Sequence, residues 1–337
     1  MRIAPFYFFS AVILTQHLAA QESANFPTIG EIVRVDPLLD ELIASDSRIE
    51  VLASGFDWSE GPVWIPRDGG FLLFSDVPQN TIFKWQPGKG ISTYMKPSGY
   101  TGVGSYSSEP GSNGLTLNPD GQLVFCEHGD RRVSVMVWGE GKRTLADNWE
   151  GKWFNSPNDV VCHSNGDVYF TDPPYGLPNR EPDDKHGYGG CGVFRIAKTG
   201  KVSLLTDEMT RPNGIVLSPD EKTLYVAQSD SKAPIIRAFD LKDDSTLTNS
   251  RIFYDASSEY GKRKGSPDGM TIDAQGNLFA TGPGGVHVIS PEGKLLGRID
   301  TGEATANCCW GDDGSVLYLT ADMYLCRVQT KTMGKPW

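Results

Sequence analysis

The sequence predicts an all-β fold, a six-bladed β-propeller closed by an N-terminal strand, on three observations. One phrase recurs six times: a short apolar strand, a turn built on Asp-Gly or a similar pair, then a second apolar strand. The copies stand at intervals of roughly 40 to 55 residues, which suits a blade of four strands. Between them no long helical periodicity appears, which argues against alternating strand–helix units.

The turns fall at Asp68-Gly69, Asp120-Gly121, Asn165-Gly166, Asp220-Glu221, Gln275-Gly276 and Asp313-Gly314. Asp, Asn and Gly serve there because they tolerate the positive φ of a tight hairpin. Third strands follow, as at residues 81–85, 192–196 and 324–328. Outer strands read at 91–94, 143–146, 202–205, 251–254 and 295–299. Those are five outer strands for six hairpins. Residues 48–53, ahead of the first hairpin, are therefore expected to complete the last blade and remove a free edge. The organisation read this way is a leader at 1–20, an arm across the outside at 21–47, the propeller at 48–330 and a tail at 331–337.

The leader rests on Arg2, the apolar run Phe6 to Leu14 and the small pair Ala19-Ala20. That order is the pattern of a secretory signal, so export to the periplasm or the exterior is expected, with cleavage near Ala20. The run falls short of the ~20 residues that span a bilayer. No membrane partner is expected after cleavage.

Composition narrows the partners further. The 337 residues include 31 basic and 42 acidic ones, for a formal net charge of −11. Nucleic acid and anionic membranes need a cationic face, so neither fits. The 15 Phe, 12 Tyr and 8 Trp supply ample apolar surface for a core. Six cysteines allow fifteen pairings, and buried thiols are favoured over disulfides. No C-x-x-C occurs to suggest zinc or a redox pair. A monomer is expected, since closure removes the edges through which sheets pair.

The chemistry-bearing positions lie just before the innermost strand of each blade, where a propeller's loops converge on its channel. These positions hold Glu60, Asn113, Asn158, Asn213, Asp268 and Asn307. Each offers a carboxylate or amide oxygen. Calcium takes about six to eight hard oxygen ligands in flexible geometry, which suits such a ring. Asn and Asp before Gly are also ordinary turn formers. Glu60 is not, and it has no local reason to begin a strand.

The phrases Glu60-Gly61-Pro62-Val63-Trp64, Ser156-Pro157-Asn158-Asp159, Thr171-Asp172-Pro173-Pro174-Tyr175-Gly176, Arg211-Pro212-Asn213-Gly214 and Pro267-Asp268-Gly269-Met270 resemble the gluconolactonase/SMP-30 (regucalcin) family. The resemblance runs from about Ile49 to Val328. It implies a six-bladed propeller with one divalent ion in the channel, usually calcium, and hydrolysis of a sugar lactone. It implies the metal ligands Glu60, Asn158, Asn213 and Asp268, with Asp268 also the acid/base. Regucalcin-like members carry an arginine two residues before the first ligand Asn; here Ser156 stands there.

A bound cation polarises a carbonyl and acidifies water, and a carboxylate beside it can shuttle the proton. Asp268 is the first candidate for that carboxylate. Asp172 and the pair Glu127-His128 are reserves, and with Asn113 they are candidate substrate contacts. His128 reads equally as a structural histidine. Zinc or manganese could stand in for calcium, since availability often selects the metal. No Gly-x-Ser-x-Gly marks a serine hydrolase. Two further readings stay open: a phosphotriesterase on the same propeller, and a non-catalytic propeller that binds a protein. Loops 97–110 and 178–190 are expected to cover the channel and select the small-molecule substrate.

Overall fold

The computed structural model describes residues 26–334, so the expected leader lies outside the described residues. The first blade pairs Ser59–Ile65, Phe71–Asp76, Thr81–Gln86 and Gly90–Met95, in that order from the axis outward. Five further sheets repeat it, with innermost strands Ser112–Leu117, Val160–Cys162, Pro212–Leu217, Met270–Ile272 and Thr305–Gly311. Every neighbouring pair within a blade is antiparallel. In the sixth blade the fourth strand is Ile49–Ser54, which pairs with Tyr324–Gln329. The first and last parts of the propeller are thereby joined in one sheet.

The blades are apolar on both faces, and the reason is visible in the core. Among the described residues six apolar clusters occur, one at each seam between adjacent blades. Successive residues of a strand point to opposite faces. Leu72 and Phe74 accordingly enter the seam with the sixth blade, while Phe71 and Leu73 enter the seam with the second. At the closing seam Trp64 stacks on Tyr318 with ring centroids 5.5 Å apart. The six cysteines are all free, and five of them are buried.

Residues 26–47 do more than cross the outside. Thr28–Ile29 adds a fifth strand to the sixth blade, and Glu31–Arg34 adds one to the fifth. The helical turn Leu39–Leu42 then carries Leu39 and Leu42 into the seam between those blades, where Ile43 is also buried. The arm therefore clamps the fifth blade to the sixth, the blade that holds the closing strand. The tail is docked as well: Ala274 N–H donates to Met333 O at 2.9 Å, and Thr332 Oγ1 donates to Asp273 at 2.7 Å.

Leu39 is fully buried between two blades. Leu39→Ala is expected to destabilise the protein by about 2–5 kcal/mol, the range for deleting a core leucine. A urea midpoint within error of wild type would show instead that the arm is a passive appendage.

Candidate functional site at the channel mouth

Five of the six register-equivalent residues, Glu60, Asn113, Asn158, Asn213 and Asp268, line one cavity of about 510 Å³. Local sequence makes this convergence possible. The residue after four of them is glycine, and a Cβ there would meet the neighbouring blade. On Gly61 it would lie 2.0 Å from Asn113 O, on Gly214 2.0 Å from Asp268 O, and on Gly269 1.9 Å from Asn307 Cγ. Gly114, Gly214 and Gly269 do not take a left-handed φ. Their role is close approach rather than turn formation. Backbone bonds finish the ring, as Gly114 N–H donates to Asn158 O and Gly269 N–H to Ala306 O, both at 2.7 Å. Hydroxyls on second strands add to it: Ser75 donates to Asn113 O at 2.8 Å and Thr171 to Asn213 O at 2.7 Å.

The sixth member, Asn307, does not line the cavity. It is buried behind the lining, and its side chain hydrogen-bonds Glu60 and Asp159. Asp159 stands where four of the other blades have glycine and the sixth has Cys308, and it also accepts from Val160 N–H at 2.9 Å and Ile215 N–H at 3.2 Å. Sequence reading passed over Asp159 as a functional group, although Asn-Asp in place of Asn-Gly was a visible departure.

The wall orients the amides. Asn158 Nδ2 lies 3.4 Å from His128 Nε2, and His128 Nδ1 lies 3.2 Å from Glu109 O. The tautomer that satisfies both contacts donates Nδ1–H to the carbonyl and accepts from Asn158, which leaves Asn158 Oδ1 for the cavity. Asn213 Nδ2 donates to Ser229 Oγ at 2.8 Å, and that hydroxyl donates to Pro267 O at 2.7 Å. Here too the amide nitrogen is held and the oxygen remains. Such supporting bonds are how metal-site ligands are aimed.

Electrostatics at the site favours a cation. Burial pushes the Glu60 and Asp268 carboxyls above the usual range; the Asp159 charge raises both further, and the Glu60 charge adds to the rise of Asp268. Burial likewise raises Asp159 to about 7. Asn113 Oδ1 is buried and accepts no hydrogen bond among the described residues. Two opposed carboxylates, oriented amide oxygens and an orphaned acceptor fit a hard divalent ion. Among the described residues no group of three His, Cys, Asp or Glu could hold a metal, so the amides are needed for this ligand set.

Three candidate substrate contacts stand away from the cavity. Asp172 is fully buried and accepts from Asn155 N–H, Ser156 N–H and Tyr188 OH, each at 2.8 Å. It fastens the segment that leads to Asn158. Glu127 is buried against Arg132 and Lys142, at 3.0 and 2.9 Å. His128 backs Asn158 without lining the cavity. Buried polar groups at strand ends look alike in sequence whether they meet a ligand or a neighbouring loop. Ser156, in place of the arginine, donates to Pro173 O at 2.6 Å and accepts from Gly176 N–H at 2.9 Å.

The cavity's rim comes from loops. Glu109 belongs to the 97–110 loop and Arg180 to the 178–190 loop, both expected to cover the channel. Trp58, Tyr175, Tyr260 and Arg263 also line it. Tyr260 and Arg263 lie in the connection after the fourth blade, whose unusual length was the only signal for them.

The fold is thus a closed six-bladed propeller with an acidic, amide-lined cavity where its inner strands converge. The SMP-30/Gluconolactonase/LRE-like family model matches residues 58–322, and the chain belongs to that family. A gluconolactonase of Zymomonas mobilis is 42% identical over 333 residues, covering 96% of this chain and 93% of its own. The pentonolactonase XacC of Haloferax volcanii is 25% identical, covering 77% and 80%. Among solved structures, a gluconolactonase of Xanthomonas campestris superposes with a TM-score of 0.79 at 28% identity, covering 90% of this chain and 97% of that one. The calcium-binding protein regucalcin of Agrobacterium tumefaciens shares the fold, with a TM-score of 0.63 at 19% identity and coverage of 85% and 95%.

The raised carboxyls give stability a signed pH dependence. Asp159 and Asp172 rise to about 7 through burial, and Glu60 and Asp268 rise with them, so the folded state holds more protons than the unfolded one. Stability then falls as pH increases through that window. His128, lowered to about 4 by burial from an ordinary 6.5, acts oppositely only below its unfolded value. The melting temperature of chelated protein is therefore expected to fall between about pH 6.5 and 8. Calcium should raise it more at the upper end, where the ligands are ionised. A melting temperature that climbs across the window would overturn this electrostatic account.

Proposed function

We propose that the chain is a lactone-hydrolysing enzyme that opens a sugar lactone to its aldonic acid with the help of a divalent ion, calcium first among the candidates. The observation that carries the reading is Glu60 and Asp268 facing one cavity between amides whose nitrogens are held by the wall. The named activity of the Zymomonas and Xanthomonas relatives supports the reaction class. The calcium-binding regucalcin of like fold supports the ion. Glu60, Asn158, Asn213 and Asp268 would hold it. A divalent ion at that position supplies Lewis-acid activation of a carbonyl and of water.

The chain's own groups do the rest. Asp268 takes the proton of the attacking water as the water oxygen bonds to the carbonyl carbon. It returns that proton to the ring oxygen as the ring C–O bond breaks. The neighbouring charge of Glu60 and burial keep Asp268 more basic than an exposed aspartate, and the Asn213 side chain hydrogen-bonds it. Glu60 is fixed from below by Gly61 N–H at 3.0 Å and by Asn307. Asn113 lines the cavity beside them. The polar wall suits a hydroxylated ring better than a phosphotriester, which needs apolar surroundings. Carboxylates converging on an open cavity favour turnover over a purely protein-binding propeller.

The reading is tested with glucono-δ-lactone after chelation, spontaneous opening being subtracted. Added calcium is expected to restore turnover, and Asp268→Asn to lower kcat by about 10²–10⁴-fold, the span of general acid–base effects. Retained turnover in the variant would remove Asp268 from the proton path. Calcium-dependent melting without turnover of any lactone would make the ion structural. Export belongs to the same proposal: mass spectrometry of the processed protein should find Gln21 as its first residue, and an intact Met1 in the mature protein would refute the leader.

A further inference from the structure

At the rim of the cavity two loops from different blades meet through one ion pair. Arg180 reaches from the loop after the third blade's second strand to Glu109, at the end of the loop after the first blade. Arg180 Nη2 also contacts Ser108 Oγ at 3.3 Å. Both residues line the cavity. The two-loop junction is only partly consumed by these contacts. Nε and Nη1 of Arg180 and Oε2 of Glu109 have no protein partner among the described residues.

The backbone beneath the guanidinium is held in an unfavourable conformation. Arg180 takes φ +54°, the left-handed region that a long side chain seldom adopts. That costs about 1–2 kcal/mol and persists only where neighbours enforce it. They do so here: Arg180 N–H donates to Leu177 O at 3.1 Å. On the far side Arg211 contacts Arg180 O at 3.5 Å and Glu181 at 3.3 Å. Arg131 secures Asp183 at 2.9 Å. Arg131, Glu150 and Glu221 take the same φ away from the cavity, so the conformation fixes the direction of Arg180 without itself marking a ligand site.

The other arginine of the cavity contrasts with it. Arg263 is shared between Asp300 at 3.0 Å and Glu259 at 3.5 Å. Arg180 has a single carboxylate partner, and that partner itself borders the cavity. A guanidinium edge beside a carboxylate edge presents donors and acceptors side by side. Adjacent hydroxyls of a sugar ring present the same pattern, since each can donate and accept.

We infer that Arg180 and Glu109 form the specificity subsite of this cavity, gripping vicinal hydroxyls of the lactone ring from two loops at once. The inference rests on the lactonase reading for its substrate and names what that reading left open, the feature that separates a sugar lactone from a plain one. A site built to hydrogen-bond hydroxyls discriminates strongly against a ring without them, because its polar groups are then left unpaired. The reacting carbonyl is held elsewhere, by the group around Asp268.

The experiment compares glucono-δ-lactone with δ-valerolactone, the same ring without hydroxyls, for wild type, Arg180→Gln and Glu109→Gln. The ratio of the two kcat/KM values is expected to fall at least tenfold in each variant, mainly through KM for the sugar lactone. If both lactones are lost in equal proportion, the pair merely braces the loops and the inference is wrong. Binding of glucono-δ-lactam, measured by calorimetry, tests the subsite apart from the reaction. Affinity that drops at least tenfold in Arg180→Gln upholds the subsite even if wild type opens no lactone, in which case only the lactonase reading falls. Equal affinity in wild type and variant, or no lactam binding to wild type, overturns it.

Discussion

The close approach of the inner strands at the axis is the constraint on which the rest of the molecule depends. Glutamate, aspartate and three asparagines are drawn to one cavity, and the residues that follow four of the five have no side chain to hold the blades apart. Gly61, Gly114, Gly214 and Gly269 are packed where a Cβ would strike the next blade. With the strands that near, the hydroxyls of Ser75 and Thr171 reach across a seam to the neighbouring carbonyl. A propeller can splay its blades without losing much of its outer core. It cannot do so and keep this cavity.

That approach has an electrostatic consequence. Carboxylates desolvated together are costly, and each raises the proton affinity of the other. Asp159 raises both Glu60 and Asp268 in this way, and Glu60 raises Asp268. Two ways of relieving the strain exist: protonation, or a cation between them. His128 and Ser229 hold the nitrogens of Asn158 and Asn213, while the Asn213 side chain also donates to Asp268 and that of Asn307 to Glu60 and Asp159. The amide oxygens left over beside the carboxylates suit a hard ion.

The division between what the sequence revealed and what it concealed follows the repeat. Asp120-Gly121 and its counterparts announced hairpins because their turn chemistry is local. The six blades could then be phased, and residues 48–53 matched to the vacant outer strand by counting. Five channel residues were legible for the same reason, as they occupy one register. Asn307 shares the register yet stays behind the cavity lining, its side chain bonded to both Glu60 and Asp159, and no local pattern distinguishes that. Asp172 and Glu127 were ambiguous because a carboxylate at a strand end serves equally to clasp a loop. Tyr260 and Arg263 were invisible, since they lie in a connection with no counterpart in other blades. The arm was legible as a segment but not as strands: Thr28–Ile29 and Glu31–Arg34 are too short to show alternation.

The same division separates the two tasks of the site. Groups that the repeat positions, Glu60, Asn158, Asn213 and Asp268, come from strands whose relative placement is locked by the seams. Such rigidity is what reacting atoms require, since misplacement of about 1 Å can cost about 10²-fold in rate. Glu109, Arg180 and Tyr260 come from connections that differ in length from blade to blade, and they meet only at the rim. Loops can change without disturbing the seams, so substrate choice can vary while the inner ring stays intact. Arg180 marks the boundary between the two regimes. It lies in a loop, but Arg211, Leu177 and Ser108 hold its backbone and side chain in a conformation that a free loop would abandon.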